Sequence, residues 1–159
     1  MGIFSNIFSF RKKDRFIAPM AGKVMALKDI PDPVFSEGIL GEGFAIELSA
    51  GKVVAPFDCE VISCFPTGHA YGLKSTDGTE ILLHIGIDTV ELNGQGFDKK
   101  VKMGQIIKQG DILAIINLES IVKAGKSLIS PLIFLNGKKC KILKVGSDVE
   151  LEEKDIVVY

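Results

Sequence analysis

Short apolar runs separated by glycines are the feature that most restricts what this chain can fold into. The 17 glycines are spread along its 159 residues and interrupt apolar runs at close intervals. Runs of about four to eight residues between turn residues are typical of strands in a sandwich or barrel. No crossover helix recurs between them, which argues against a parallel α/β sheet. The runs are Phe44–Leu48, Val61–Phe65, Glu80–Ile85, Ile112–Ile116, Leu132–Leu135 and Ile156–Tyr159.

Length and charge exclude several classes of protein. We predict a single domain over residues 15–159, preceded by a flexible or amphipathic tail over residues 1–14. Lys and Arg total 19 against 20 Asp and Glu, a net charge of -1 that argues against nucleic acid as a partner. No apolar run approaches the roughly 18 residues of a membrane-spanning helix. Three cysteines without metal-ligand spacing predict reduced thiols in a cytoplasmic protein.

The first 13 residues carry an apolar face followed by basic residues. Ile3, Phe4, Ile7 and Phe8 would share one face of a helix. One interpretation is a short helix that makes weak contact with an anionic membrane surface, which would place the protein at the inner face of the membrane. The other is a frayed tail or a strap over the core. The sequence leaves both open.

Two short helical turns are predicted from their boundary residues. Asp32 is a suitable N-cap before a first-turn proline, and Gly38 is a suitable stop. Asn117 can cap a second helix over residues 118–124. A four-position echo also predicts two related strand entries, on the same sheet or on opposite sheets. The echo matches Ala18-Pro19, Gly22 and Val24 with Ala55-Pro56, Cys59 and Val61.

Two dipeptides predict hairpins with two-residue loops. Asp77-Gly78 and Asn136-Gly137 both suit the positive φ angles of a primed turn. The strands predicted on either side are Tyr71–Ser75 with Glu80–Ile85, and Leu132–Leu135 with Lys139–Val145.

The only two histidines of the chain flank the first hairpin. With a two-residue loop at Asp77-Gly78, His84 lies opposite Tyr71, and His69 projects from the same face two residues earlier. The imidazoles would then be diagonal neighbours. Two close imidazoles resist double protonation, so one stays neutral and can act as a nucleophile or a metal ligand. Two buried, hydrogen-bonded structural histidines are the alternative. No dinucleotide fingerprint, phosphate loop or nucleophile elbow is present.

The residues around the histidines form two distinctive blocks, Thr67–Tyr71 and Leu82–Leu92. Further matching stretches are Ile17-Ala18-Pro19, Pro31-Asp32, Val54-Ala55-Pro56 and Gly94-x-Gly96-Phe97. Together they resemble the glucose-type enzyme IIA family of the bacterial phosphoenolpyruvate-dependent sugar phosphotransferase system. The resemblance implies a compact antiparallel β-sandwich of the barrel-sandwich type, with one or two short helical turns and both histidines in a shallow apolar depression.

The resemblance also implies roles for individual residues. His84 would accept a phosphoryl group from the carrier protein HPr and pass it to a cysteine of the sugar-specific IIB domain. His69 would stabilise the phosphoryl oxygens, and the Thr67 hydroxyl would orient either this histidine or the phosphate. Gly86 would fix the tautomer of His84 through its carbonyl, and the backbone near Asp88 would spread the added charge. No cofactor is required for such an exchange.

A docking surface for HPr and the IIB domain is implied around the histidines. Acidic Asp32 and Asp88 would face arginines of HPr, raising the association rate more than the affinity. The resemblance leaves open which sugar is carried and whether the unphosphorylated form binds regulatory target proteins. The apolar members of the surface are Val34, Phe35, Ile39, Leu40, Phe65 and Val90.

Two other classes of protein compete with this interpretation. A biotinyl or lipoyl carrier domain would need a modified lysine at a hairpin tip, and Lys102, beside Met103, adjoins no hairpin signal. A zinc peptidase would need three protein ligands, so a carboxylate such as Asp88 would have to join both histidines. A related hypothesis is that His69 and His84 share zinc with a partner's carboxylate.

Overall fold

The computed structural model describes residues 16–159, which contain thirteen strands and two short α-helices. The predicted tail over residues 1–14, with its membrane contact, lies outside the described residues. The strands are β1 Gly22–Ala26, β2 Glu42–Leu48, β3 Lys52–Val54, β4 Cys59–Cys64, β5 Ala70–Ser75, β6 Glu80–His84, β7 Phe97–Lys99, β8 Ile106–Ile107, β9 Ile112–Ile116, β10 Ile129–Phe134, β11 Lys141–Ile142, β12 Asp148–Val149 and β13 Val157–Val158. The helices are α1 Pro33–Ser36 and α2 Leu118–Lys123, and 3-10 turns cover Leu27–Asp29 and Thr89–Leu92.

Strand pairing is antiparallel throughout and confirms the predicted β-sandwich. An eight-stranded sheet has the order β12-β1-β2-β10-β6-β5-β4-β8. A three-stranded sheet, β3-β9-β7, and a two-stranded sheet, β11-β13, complete the fold. Among the described residues, no helix is long and apolar enough to cross a membrane.

Side chains on both faces of the central strands are buried. Along β10, Leu132 and Phe134 belong to the main core, whereas Ile133 belongs to a second cluster that includes Phe35 of α1. Strand β6 alternates in the same way, with Ile81 and Leu83 fully buried in the main core. The period of two therefore turns His84 at the end of β6 away from the main core, on the side where α1 packs.

Both predicted helical turns are confirmed with their caps. The Asp32 carboxylate accepts a hydrogen bond from the Val34 N–H at 3.0 Å, and Gly38 follows α1 with a φ of 71°. Asn117 accepts from the Ser120 N–H at 3.1 Å at the start of α2. These caps satisfy backbone donors that a short helix otherwise leaves unpaired.

The sequence echo corresponds to two equivalent strands in one sheet. β1 and β4 each lie one strand from an edge of the eight-stranded sheet, so the alternative of opposite sheets is wrong. Ala18 precedes β1 and Ala55 precedes β4, and the two residues have the same bonding pattern. Each exchanges two backbone hydrogen bonds with a loop later in the chain. The repeated residues therefore serve repeated backbone geometry at the two ends of the sheet.

The loop between β5 and β6 is one residue longer than predicted. His84 lies opposite Ala70 rather than Tyr71, and the Ser75 N–H bonds to the Thr79 carbonyl at 2.8 Å around a three-residue loop. The two-residue loop and its register are therefore wrong. The reason is local, because the Asp77 carboxylate accepts hydrogen bonds from the Thr79 N–H and the Ser75 hydroxyl. Such an Asp-centred turn competes with the primed turn that Asp-Gly suggests.

The second predicted hairpin is also wrong, although its turn conformation is correct. Asn136 and Gly137 have φ angles of 58° and 72°. The following strand β11 nevertheless pairs with β13, because both edges of β10 are already occupied by β2 and β6. A turn signal alone gives the backbone angles but not the pairing partner.

Candidate functional site

The two histidine rings contact each other despite the shifted register. Their centroids are 5.2 Å apart, with the ring planes at 75°. His69 precedes the first residue of β5 and follows Gly68, whose φ is +75°. Strand alternation therefore does not determine where its side chain points. The His69 carbonyl accepts from the Ile85 N–H at 2.7 Å, which ties the turn to the residue after His84.

The hydrogen bonds of His84 define its tautomer. Its Nδ1 lies 2.7 Å from the Gly86 carbonyl oxygen. Because a carbonyl only accepts, Nδ1 carries the hydrogen in the neutral ring, and Nε2 keeps a free lone pair. Phe35 packs edge-to-face against the ring at 5.4 Å and restrains its orientation.

His69 is complementary to His84. Its Nδ1 is hydrogen-bonded to the Thr67 hydroxyl, and the Phe65 ring lies edge-to-face at 5.1 Å. Only 3% of this histidine is exposed. With the hydroxyl donating, Nδ1 accepts and Nε2 carries the hydrogen, so His69 offers a donor where His84 offers a lone pair.

Both imidazoles are held in the neutral form. Burial and, to a smaller extent, the neighbouring His84 together lower the pKa of His69 from 6.5 to about 4. Burial also lowers the pKa of His84, against the opposing effects of the Gly86 carbonyl, Asp32 and Asp88. A neutral pair at neutral pH is the state that a nucleophilic imidazole needs.

Acidification should reduce the free energy of unfolding in part through His69. The unfolded imidazole has its ordinary pKa of 6.5, whereas the folded one has a pKa of about 4. Below pH 6.5 the unfolded chain binds a proton that the folded chain excludes, so this stability is lost as the pH falls towards 4. Denaturant unfolding near pH 7 and near pH 4.5 measures the loss. It should be smaller in His69→Gln than in the wild type, and equal losses would contradict the assignment.

Gly86 occupies a position that admits no other residue without movement. Its φ is +74°, and an added Cβ would lie 2.5 Å from the Thr89 methyl group and 2.7 Å from the Ser127 carbonyl oxygen. Its N–H donates to the hydroxyl of Ser130 at 2.9 Å. The Thr89 hydroxyl donates to the Ile85 carbonyl.

Ser130 and Thr89 are site residues that sequence reasoning missed. Ser130 is 44 residues from Gly86 along the chain and reaches it only because β10 lies beside β6. No local pattern indicates such a contact. Thr89 lies within the block of residues that carries the family resemblance, but no role was expected for it.

The two acidic residues reach the site in different ways. Asp32 is half-buried as the cap of α1, whereas Asp88 is exposed, with a φ of 58°, at the start of a 3-10 turn. The charges of both carboxylates oppose the larger effect of burial, which lowers the pKa of His84. They make this side of the histidine pair acidic.

The six predicted docking residues divide into two groups. Phe35 is buried beneath His84, with 6% exposed, so its place is structural support of the ring. The others are exposed, as a surface that meets partners requires. They are Val34, Ile39, Leu40, Phe65 and Val90, with exposures of 37–70%.

The structure offers little for the competing site types. Within residues 16–159 no group of three or more His, Cys, Asp or Glu side chains is arranged to hold a metal ion. Lys102 and Met103 lie between β7 and β8, which pair with β9 and β4 respectively, so they are not at the tip of a hairpin.

Fold and site together define an antiparallel β-sandwich protein whose candidate site consists of two contacting, neutral imidazoles. Residues 14–140 match the family model described as phosphoenolpyruvate-dependent sugar phosphotransferase system, EIIA 1. The chain belongs to this family, which confirms the resemblance seen in its sequence.

Curated relatives and a solved structure agree with the family. The glucose-specific EIIA component of Staphylococcus epidermidis is 42% identical over 90% of this chain and 86% of its own length. The glucosamine-specific EIICBA component of Bacillus subtilis is 54% identical over 77% of this chain, which spans 20% of that longer protein. The solved glucose permease IIA of Mycoplasma capricolum has a TM-score of 0.83 and 39% identity, covering 90% of this chain and 94% of its own.

Proposed function

We propose that the protein is a phosphohistidine relay that accepts a phosphoryl group from HPr on His84 Nε2 and passes it to a sugar-specific IIB domain. The observation that carries the proposal is the complementary pair of imidazoles. His84 presents a lone pair because Gly86 holds its Nδ1–H, and His69 presents a donor when the Thr67 hydroxyl donates to its Nδ1.

Acceptance is an in-line exchange between two nitrogens. The His84 Nε2 lone pair forms a bond to phosphorus while the bond from phosphorus to the histidine nitrogen of HPr breaks, and the departing imidazole keeps that electron pair. No proton must leave His84, since its hydrogen is on Nδ1. Phosphoryl transfer of this kind depends on positioning and on donors to the equatorial oxygens more than on covalent chemistry by other residues.

The transferred phosphoryl group adds negative charge to a partly buried site whose two imidazoles are neutral. A phosphoryl group carries about −1.5 to −2 near pH 7. The His69 Nε2–H would donate to one of its oxygens, and the backbone N–H groups around Asp88 would serve others. Onward transfer reverses the bond changes at His84 as the IIB cysteine sulfur attacks phosphorus.

Partner docking would use the exposed apolar residues and the acidic side. The five exposed docking residues would contact HPr and IIB one after the other, and Asp32 and Asp88 would attract basic residues of these partners. The five are Val34, Ile39, Leu40, Phe65 and Val90. Interfaces of this kind are small and exchange rapidly. The fused Bacillus subtilis relative, named as an EIICBA component, supports a IIB partner because its name joins the A and B components in one chain.

The experiment is stepwise phosphorylation with labelled phosphoenolpyruvate, enzyme I and HPr. We expect label that is acid-labile and base-stable, as for a phosphohistidine, and that moves to a IIB domain when one is added. Enzyme I and HPr without this protein are the control for carry-over. Folded protein that takes no label while HPr is labelled would exclude the proposed relay.

A second proposal concerns zinc at a partner interface. Zinc would require the other His69 tautomer, in which Nδ1 donates its hydrogen to the Thr67 hydroxyl, so that Nε2 of each ring could bind the metal; the ring centroids are 5.2 Å apart. These two nitrogens fit half of a tetrahedral zinc site, and a carboxylate from a partner would have to complete it.

Zinc should therefore raise affinity for a regulatory partner that brings a carboxylate to the histidines, and a chelator should reverse the gain. Calorimetric titration with and without zinc measures the difference. His69→Gln, which lacks one zinc ligand, should abolish the dependence. Equal affinity in zinc and in chelator would end this proposal without affecting the relay.

A further inference from the structure

One peptide unit beside His84 is held at both of its polar ends by buried hydroxyls. The Gly86 N–H donates to the Ser130 hydroxyl at 2.9 Å, and the Ile85 carbonyl accepts from the Thr89 hydroxyl. These two groups belong to the same peptide bond. Ser130 and Thr89 are both 0% exposed, so water has no access to replace either contact.

The next peptide unit is held in a similar way. Its carbonyl, from Gly86, accepts from His84 Nδ1 at 2.7 Å, and its N–H, from Ile87, donates to the Ser127 carbonyl at 3.3 Å. Gly86 joins the two units with a φ of +74°. Fixing the preceding peptide unit therefore helps to fix the direction of the Gly86 carbonyl, which holds His84 Nδ1.

Glycine makes this external support necessary. Gly86 is crowded by Thr89 and Ser127, which rules out a side chain there, yet glycine by itself restrains its own backbone angles poorly. The two hydroxyls come from different elements: Ser130 belongs to β10, and Thr89 belongs to the 3-10 turn that comes after β6. Ser130 is fixed in turn, because its hydroxyl donates to the Leu128 carbonyl at 3.1 Å.

We propose that Ser130 and Thr89 are positioning residues for phosphoryl acceptance. They clamp the peptide bond between Ile85 and Gly86, so that the Gly86 carbonyl keeps the hydrogen of His84 on Nδ1 and leaves Nε2 as the nucleophile. Neither hydroxyl contacts the reacting nitrogen. The inference deepens the proposed function and rests on it for its kinetic consequence, whereas its effect on the His84 tautomer stands independently.

Ser130→Ala and Thr89→Val test the clamp. Each removes one hydroxyl and should convert His84 from a single Nδ1–H tautomer to a mixture, read from the ring nitrogen shifts by NMR. The chain has two histidines, so His69→Gln assigns the signals. Phosphoryl acceptance from HPr should slow by about tenfold in each variant, the scale of losing one hydrogen bond.

Matched variants separate positioning from loss of stability. Ser75→Ala deletes another buried serine hydroxyl at the far end of the same hairpin, bonded to Asp77, and should change neither the tautomer nor the rate. Thr89→Ser retains the hydroxyl and should restore both. Should Ser130→Ala fail to fold, Thr89→Val decides by the same two measurements.

The outcomes distinguish this inference from the relay itself. Folded clamp variants with the wild-type tautomer overturn the inference, whether or not their rate falls, because a slower rate alone would indicate a structural defect. A shifted tautomer with an unchanged rate also overturns the positioning role. Wild-type protein that takes no phosphoryl group at all excludes the relay, while the tautomer measurement still tests the clamp.

Discussion

His84→Ala should take no phosphoryl group from HPr, with label at the background level of the reaction. The substitution removes His84 Nε2, whose lone pair is left free because Nδ1 donates to the Gly86 carbonyl and which the proposed relay makes the acceptor. Labelled phosphoenolpyruvate, enzyme I and HPr provide the measurement. Label at the wild-type level in this variant would show that another residue is the acceptor.

The folded state of His84→Ala can be checked separately. His84 is half-buried at the end of β6, so removing its ring costs packing against Phe35 but leaves the main core intact. A loss of about 1 kcal/mol in the free energy of unfolding is expected for such a change. Amide NMR spectra should show shifts confined to the neighbourhood of the ring, which would assign the lost label to lost chemistry.

His69→Ala should separate the two halves of the relay. Acceptance by His84 should continue, because the nucleophile and its Gly86 carbonyl are untouched. Onward transfer to the IIB domain should fall by about a hundredfold or more, the usual effect of deleting a donor that meets transition-state charge. The measurement is the decay of label on the protein after addition of unlabelled IIB domain.

His69→Gln is the matched variant for this second prediction. Its amide N–H₂ can lie close to the position of the imidazole Nε2–H and should recover part of the transfer rate, while lacking any group that titrates. Full transfer activity in His69→Ala would remove His69 from the mechanism. Loss of acceptance in both variants would instead make His69 necessary for building the site.

The contact between His69 and His84 was predicted for a reason that was partly wrong. The expected ladder placed the two histidines on one face through a two-residue loop, and the Asp77 turn shifted the register by one residue. A strict strand would then have separated the rings. They meet because His69 lies in a turn after Gly68, outside the strand, where alternation does not apply.

Sequence features predicted the structure correctly where they act through interactions across only a few residues. The caps of Asp32 and Asn117 act over two or three residues and formed as predicted. Asn136 and Gly137 adopted the expected φ angles for the same reason. Pairing of the following strand was not predictable from the turn, since it depends on which edges of distant strands remain open.

By itself the sequence determined the class of fold, the short helices, the turn angles of Asn136 and Gly137 and the two histidines that we propose carry the chemistry. Each of these follows from side-chain type, hydrophobic period or interactions across a few residues. Tertiary structure alone decided the pairing partner of β11, the burial of Phe35 beneath His84 and the contact of Ser130 with Gly86. The His84 tautomer depends on that last contact in our proposal. A hydrogen bond across 44 residues exists only after β10 has paired with β6, and no local pattern records which strands will meet.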